Sequence, residues 1–122
     1  MTEEHDQAQR LSLAPRRVGP VAVVCLTGSV DASTVRIYEP DLLALADGQD
    51  ANLALDLHQV AAMDSSGLGM LLALTKRARS HGGDVVLFGV PSSVQSVLRV
   101  TGMDRVIRIF DAEGQAVSAF CA

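Results

Sequence analysis

Ser65 and Ser66 lie between Asp64 and Gly67 in the string Asp64-Ser65-Ser66-Gly67-Leu68-Gly69. A hydroxyl beside a carboxylate suits two chemistries: attack on a substrate as an activated nucleophile, or acceptance of a phosphoryl group from a kinase. The first needs a base, and the strained elbow that presents a nucleophilic serine needs glycine two residues before it. Met63 and Asp64 hold those places here, and His5, His58 and His81 are scattered along the chain. A phosphoaspartate site built on Asp56 or Asp64 would need a lysine after the last strand, but the sole lysine is Lys76, inside a helical stretch. Neither an activated nucleophile nor a phosphoaspartate fits, and the chain is expected to catalyse nothing itself.

The string opens a helix, where unpaired backbone donors and the positive end of the helix dipole favour an anion. Asp64 or Ser65 can serve as a simple cap there. Gly67 and Gly69 fall within the first turn and a half, and each costs up to about 1 kcal/mol relative to alanine. Their presence implies close approach, either by packing from within the fold or by a partner from outside. Asp56, inside the apolar run Leu53-Ala54-Leu55-Asp56-Leu57, needs a polar partner. Ser65, Ser66 or backbone donors are the candidates.

Elements that could position the string are legible on both sides of it. Leu11 to Leu13 and Val21 to Thr27 predict two strands joined by a turn over 16–20, with Gly28 ending the second. A helix follows over 33–47 with Ser33 as its cap, in which Pro40 removes a backbone donor and predicts a kink or a split. Strand 53–57, a loop over 58–63 and a helix that begins after Asp64 and runs to about Ser80 come next. That helix's inner stripe reads Leu68, Leu71, Leu72, Thr75 and Ala78. Met70 falls off the stripe, either as an exposed apolar contact or as a peripheral core residue. Lys76, Arg77, Arg79 and His81 suit the negative end of the dipole. Strand 85–88, helix 92–101, strand 106–110 and helix 113–120 complete an α/β alternation. It predicts one mixed, largely parallel five-stranded sheet with about four helices.

Composition bounds the rest. The 122 residues, 48% hydrophobic and without tryptophan, suffice for one domain with an aliphatic core. A formal net charge of -4 disfavours direct nucleic-acid binding, which needs clustered cations. The acidic start, residues 1–9, reads as a disordered tail before a domain over 10–122, and it lacks the basic and apolar run of a secretory leader. No apolar run reaches the roughly 20 residues needed to span a bilayer. Cys25 and Cys121 show neither a disulfide framework nor a metal-ligand spacing. A soluble, cytoplasmic protein without metal or cofactor is expected.

Four segments together resemble one family. They are Leu26-Thr27-Gly28-Ser29-Val30-Asp31, Leu55-Asp56-Leu57, Met63-Asp64-Ser65-Ser66-Gly67-Leu68-Gly69, and Val97-Leu98-Arg99-Val100-Thr101-Gly102-Met103. In this order they are similar to the STAS domains, in particular the bacterial anti-sigma factor antagonists. The resemblance implies a protein that binds an anti-sigma factor with serine kinase activity and so releases a sigma factor. It implies that Ser65 is the phosphoacceptor, that phosphorylation ends binding, and that a serine phosphatase restores it. It implies a binding face of Asp31, Asp64, Ser65, Ser66, Gly67, Leu68, Gly69 and Met70. The alternative within the same fold is an interaction scaffold in a stress-signalling complex, or a cytosolic partner of a transporter, without sigma-factor release.

Overall fold

The computed structural model describes residues 11–48 and 51–121. The tail expected over 1–9 lies outside them. In chain order the elements are β1 (Ser12–Val18), β2 (Val21–Val30), α1 (Ala32–Leu45), β3 (Asn52–Met63), α2 (Ser65–Ser80), β4 (Asp84–Phe88), α3 (Ser92–Thr101), a single 3-10 turn (Met103–Arg105), β5 (Arg108–Phe110) and α4 (Glu113–Ser118). The five strands form one sheet in the order β1-β2-β3-β4-β5. β1 runs antiparallel to β2, and every other pair is parallel. The expected architecture is therefore present.

Alternation along the strands builds two apolar layers. Leu53, Leu55 and Leu57 of β3 and Val85 and Leu87 of β4 face Leu42 of α1, Leu71 and Leu74 of α2 and Leu98 of α3. Val21, Val23, Ala54, Val86 and Phe88 face the other way, onto Ala116 of α4. Three helices thus cover one side and the short terminal helix covers the other. Because the central strands are buried on both faces they read as unbroken apolar runs, as parallel strands do.

Several boundaries differ from expectation. β1 continues to Val18 through Pro15, which an edge strand tolerates because it owes no ladder donor on its outer side. β3 does not end at Leu57. Residues 59–63 go on pairing with 27–30 of β2, while β4 leaves the ladder at the Asp56–Phe88 pair. With one neighbour lost, His58, Gln59, Ala61 and Ala62 are exposed, and a segment that looks like a loop in sequence is a half-solvated strand. Pro40 does not split α1, which is continuous over 14 residues. Pro40 and Arg36, whose carbonyl loses its donor, are both exposed, so water supplies what the ladder lacks. β5 begins at Arg108 because Met103–Arg105 turn back in a 3-10 turn after Gly102, whose left-handed φ of 79° ends α3. α4 closes at Ser118.

The inner stripe of α2 is Gly67, Met70, Leu71, Leu74, Thr75 and Ala78. Leu68 and Leu72 are only half-buried. Met70, expected off the stripe as either an exposed apolar contact or a peripheral core residue, lies on the stripe itself and is 1% exposed. The helix is seated on Gly67, so its phase is turned by one position from a stripe that starts at Leu68.

Candidate functional site

Parallel pairing of β2 with β3 sets Val30 beside Met63, so the residues that follow, Asp31 and Asp64, leave neighbouring strand ends and open neighbouring helices. Each is an N-cap. Asp31 Oδ1 accepts from the amides of Ser33 and Thr34, both at 3.1 Å, and from the Ser33 hydroxyl at 2.7 Å. Thr34 Oγ1 accepts in return from the Asp31 amide at 3.0 Å, which completes a capping box. The cap is Asp31 and not Ser33.

The Asp64 carboxylate serves both helices. Its Oδ1 accepts from the amides of Ser66 at 2.9 Å and Gly67 at 3.1 Å at the head of α2. Its Oδ2 accepts from the Ala32 amide, the first of α1, at 3.3 Å. The Asp64 amide donates to Val30 O at 3.2 Å. One side chain therefore ties two helix N-termini together at the carboxyl end of the sheet. Only the strand register brings these residues together, and nothing in the linear sequence signals it.

With Asp64 as the cap, Ser65 is released from that task. Its side chain is exposed, and its hydroxyl takes part in no hydrogen bond among the described residues. Ser66 is half-buried behind it. The amides that could have cradled a phosphate on Ser65, those of Ser66 and Gly67, already serve Asp64. A phosphate here would stand in solvent beside a carboxylate, contrary to the local hold that a bare helix terminus suggests.

The two glycines separate. A Cβ on Gly67 would lie 2.7 Å from Val30 O and 2.7 Å from Met63 Cγ, so Gly67 is a packing residue that lets α2 sit against the end of β2. Gly69 is exposed, with no heavy atom within 4 Å of such a Cβ. Gly67→Ala is expected to lower stability by about 1–2 kcal/mol, overpacking outweighing the gain in helix propensity. Gly69→Ala is expected to raise stability by up to about 1 kcal/mol. Urea denaturation of both variants checks the pair, and equal effects would contradict this division.

Hydrogen bonds from the Ser33 hydroxyl first, and then from the Thr34 amide, hold the Asp31 carboxyl below its ordinary value of 3.8. A depressed carboxylate stabilises the fold above the unfolded value, and that contribution is lost as pH falls through the folded one. The native chain should therefore lose stability relative to Asp31→Asn as pH drops below 3.8. Denaturant titrations of both proteins over the acid range test this, and a pH-independent difference would count against it.

Asp56 finds neither serine. Its Oδ1 lies 2.6 Å from His58 Nδ1 and accepts from the His58 amide at 3.1 Å. His58 is thus a paired residue and not a free surface histidine, and His81 Nδ1 lies 2.9 Å from Ala46 O. A cleft lined by Pro15, Arg17, Ala22, Leu45 and Leu53 lies at the opposite ends of β2 and β3 and shares no residue with the Asp31–Ser65 surface.

Among the described residues no helix is long and apolar enough to cross a membrane. The STAS domain model matches residues 12–116. The anti-sigma F factor antagonist of Paenibacillus polymyxa is 31% identical over 101 residues, covering 80% of this chain and 85% of that one. An anti-sigma factor antagonist from Mycobacterium paratuberculosis superposes with a TM-score of 0.83 at 20% identity, over 92% of this chain and 95% of the other. The Bacillus cell fate determinant SpoIIAA in its phosphorylated form superposes with a TM-score of 0.68 at 20% identity, over 88% and 98%. From the antiparallel first strand to the last helix, the chain belongs to the STAS domain family.

Proposed function

We propose that this chain is an anti-sigma factor antagonist. It acts in the cytoplasm by binding an anti-sigma factor that is also a serine kinase, thereby freeing a sigma factor. Phosphorylation of Ser65 by that partner ends binding, and a serine phosphatase restores it. The docking surface is formed by Asp31, Asp64, Ser65, Ser66, Leu68 and Gly69. Gly67 and Met70 shape it from beneath, not by contact, because both are buried.

The observation that carries this reading is the exposed Ser65 hydroxyl, free of capping, on the first turn of α2. A kinase can reach it without unfolding the helix. A phosphate adds about -1.5 to -2 charges beside Asp64, where the nearest helix amides are already engaged, in a surface that docking must desolvate. Local charge and bulk then suffice to oppose binding without rearrangement of the domain. The relatives named as antagonists, and the phosphorylated form among the superposed structures, support the same reading.

Incubation with the anti-sigma kinase and ATP, followed by intact-mass and fragment-mass measurement, tests it. One phosphate on Ser65, absent from Ser65→Ala, is expected. Transfer to Ser66, or no transfer from a kinase that binds the chain, would defeat the proposal.

A further inference from the structure

The sheet face opposite α1, α2 and α3 carries a second cluster that the Ser65 surface does not use. Cys25 of β2 pairs in register with Asp56 of β3, and His58 follows two residues on. One ligand atom from each of the three lies within 4.8 Å of the other two. By strand parity Cys25 and Asp56 share the face of Val21, Val23 and Ala54, just beyond the apolar patch under α4. Neither cysteine spacing nor histidine spacing hinted at this, because the ligands come from two strands some thirty residues apart in sequence.

We propose that Cys25, Asp56 and His58 bind a thiophilic divalent cation of the zinc class. Thiolate, imidazole and carboxylate form the mixed donor set that zinc accepts in four-coordinate sites, with one position left for water. Tetrahedral coordination sets such donors about 3.3–3.6 Å apart, given metal–ligand bonds of about 2.0–2.3 Å. The His58–Asp56 contact at 2.6 Å and the 4.8 Å limit of the cluster bracket that span, so the three donors already lie near the separations a cation requires. The Asp56 side chain is 13% exposed and that of His58 54%, which leaves an entry path from solvent on the His58 side.

Surrounding groups match what orients metal ligands elsewhere. The register between β2 and β3 shifts here, with Cys25 and Thr27 set against Asp56 and Gln59. This bulge leaves the His58 amide to donate to Asp56. Gly89, at φ +65°, brings the end of β4 so close that a Cβ would lie 3.2 Å from both Asp56 Oδ1 and His58 Cβ. Gln59 bridges His58 Nε2 at 3.2 Å and Thr27 Oγ1 at 3.0 Å, and Thr27 Oγ1 lies 4.0 Å from Cys25 Sγ. With the Gln59 amide turned over, the imidazole Nε2–H donates to its oxygen, its nitrogen donates to Thr27, and the Thr27 hydroxyl donates to the thiolate. His58 Nδ1 then points its lone pair at the cation. Coordination releases the thiol proton to solvent. Arg16, the nearby cation on this face, is engaged by Glu113.

Cobalt titration of the reduced, metal-stripped full chain tests the site. One equivalent of Co2+ should bind with a thiolate-to-cobalt charge-transfer band in the near ultraviolet, and Zn2+ should displace it. Cys25→Ser should abolish the band, His58→Ala should weaken binding at least about tenfold, and Cys121→Ser should leave both unchanged. In the native chain, Zn2+ should slow alkylation of Cys25 by iodoacetamide, a readout independent of whether any variant folds. No band in the native chain, a band that follows Cys121, or unaltered Cys25 alkylation with Zn2+ present would overturn the proposal.

Discussion

Ser65→Asp is expected to weaken binding to the anti-sigma kinase about 100-fold, a loss of about 2.7 kcal/mol, while leaving the melting temperature of the isolated chain within about a degree or two. The two outcomes are linked by one fact of geometry. Ser65 is exposed and makes no hydrogen bond among the described residues, so the fold has nothing to lose on substitution. The proposed docking surface, already acidic through Asp31 and Asp64, would gain a further charge that a partner must strip of water. Ser65→Ala removes the acceptor without adding charge and should bind within about threefold of the native chain, below the 1.4 kcal/mol that marks a tenfold change. Calorimetric titration with the anti-sigma partner, beside thermal denaturation of each variant, reads both quantities. A mimic that unfolds the chain would point to Ser65 as a structural residue.

Asp64→Ala, unlike Ser65→Asp, should destabilise the fold itself. It removes the cap of α2 and, with it, the tie to the Ala32 amide at the head of α1. Loss of a cap alone costs about 0.5–2 kcal/mol, and loss of the bond to the exposed Ala32 amide adds only a little, since water replaces it. A total of about 2 kcal/mol is expected, which lowers the melting temperature of a chain this size by about 6–10 °C. Asp64→Asn keeps an oxygen for one helix and an isosteric side chain, so it should recover more than half of the loss. Differential scanning calorimetry of the pair decides the matter. If both variants melt with the native chain, Asp64 does not hold the two helices, and the reason given for the freedom of Ser65 fails with it.

Local chemistry was legible in the sequence where it depends on a residue and its immediate neighbours. The helix opening after Asp64 and the alternation of strands and helices follow from capping preference and periodicity, whereas the choice of Asp64 over Ser65 as the cap comes from the structure. What escaped depends on which strands lie side by side. The Val30–Met63 register joins Asp31 to Asp64 through Ala32, and the Cys25–Asp56 register gathers the thiol, carboxylate and imidazole. The place of Met70 on the stripe is hidden for a related reason. Apolar spacing gives a helical period, but its phase is set by the contact of Gly67 with Val30, and leucines on the flank of the stripe misdirected it. The strand beyond Leu57 looks like a loop in sequence because a parallel strand with one partner and one covered face is as polar as a connection. Gly67 and Gly69 looked alike in sequence, and only the packing around them shows that one closes the fold and the other leaves an opening.

The most direct measurement is the affinity of the anti-sigma kinase for the chain before phosphorylation, after stoichiometric phosphorylation at Ser65, and after removal of that phosphate, with amide spectra of the free chain recorded in each state. Binding should fall by about 100-fold or more on phosphorylation and return in full on dephosphorylation, with spectral changes confined to the residues around Asp31 and Asp64. Equal affinity in the three states, or a loss of binding accompanied by changes throughout the sheet, would contradict a local switch at Ser65.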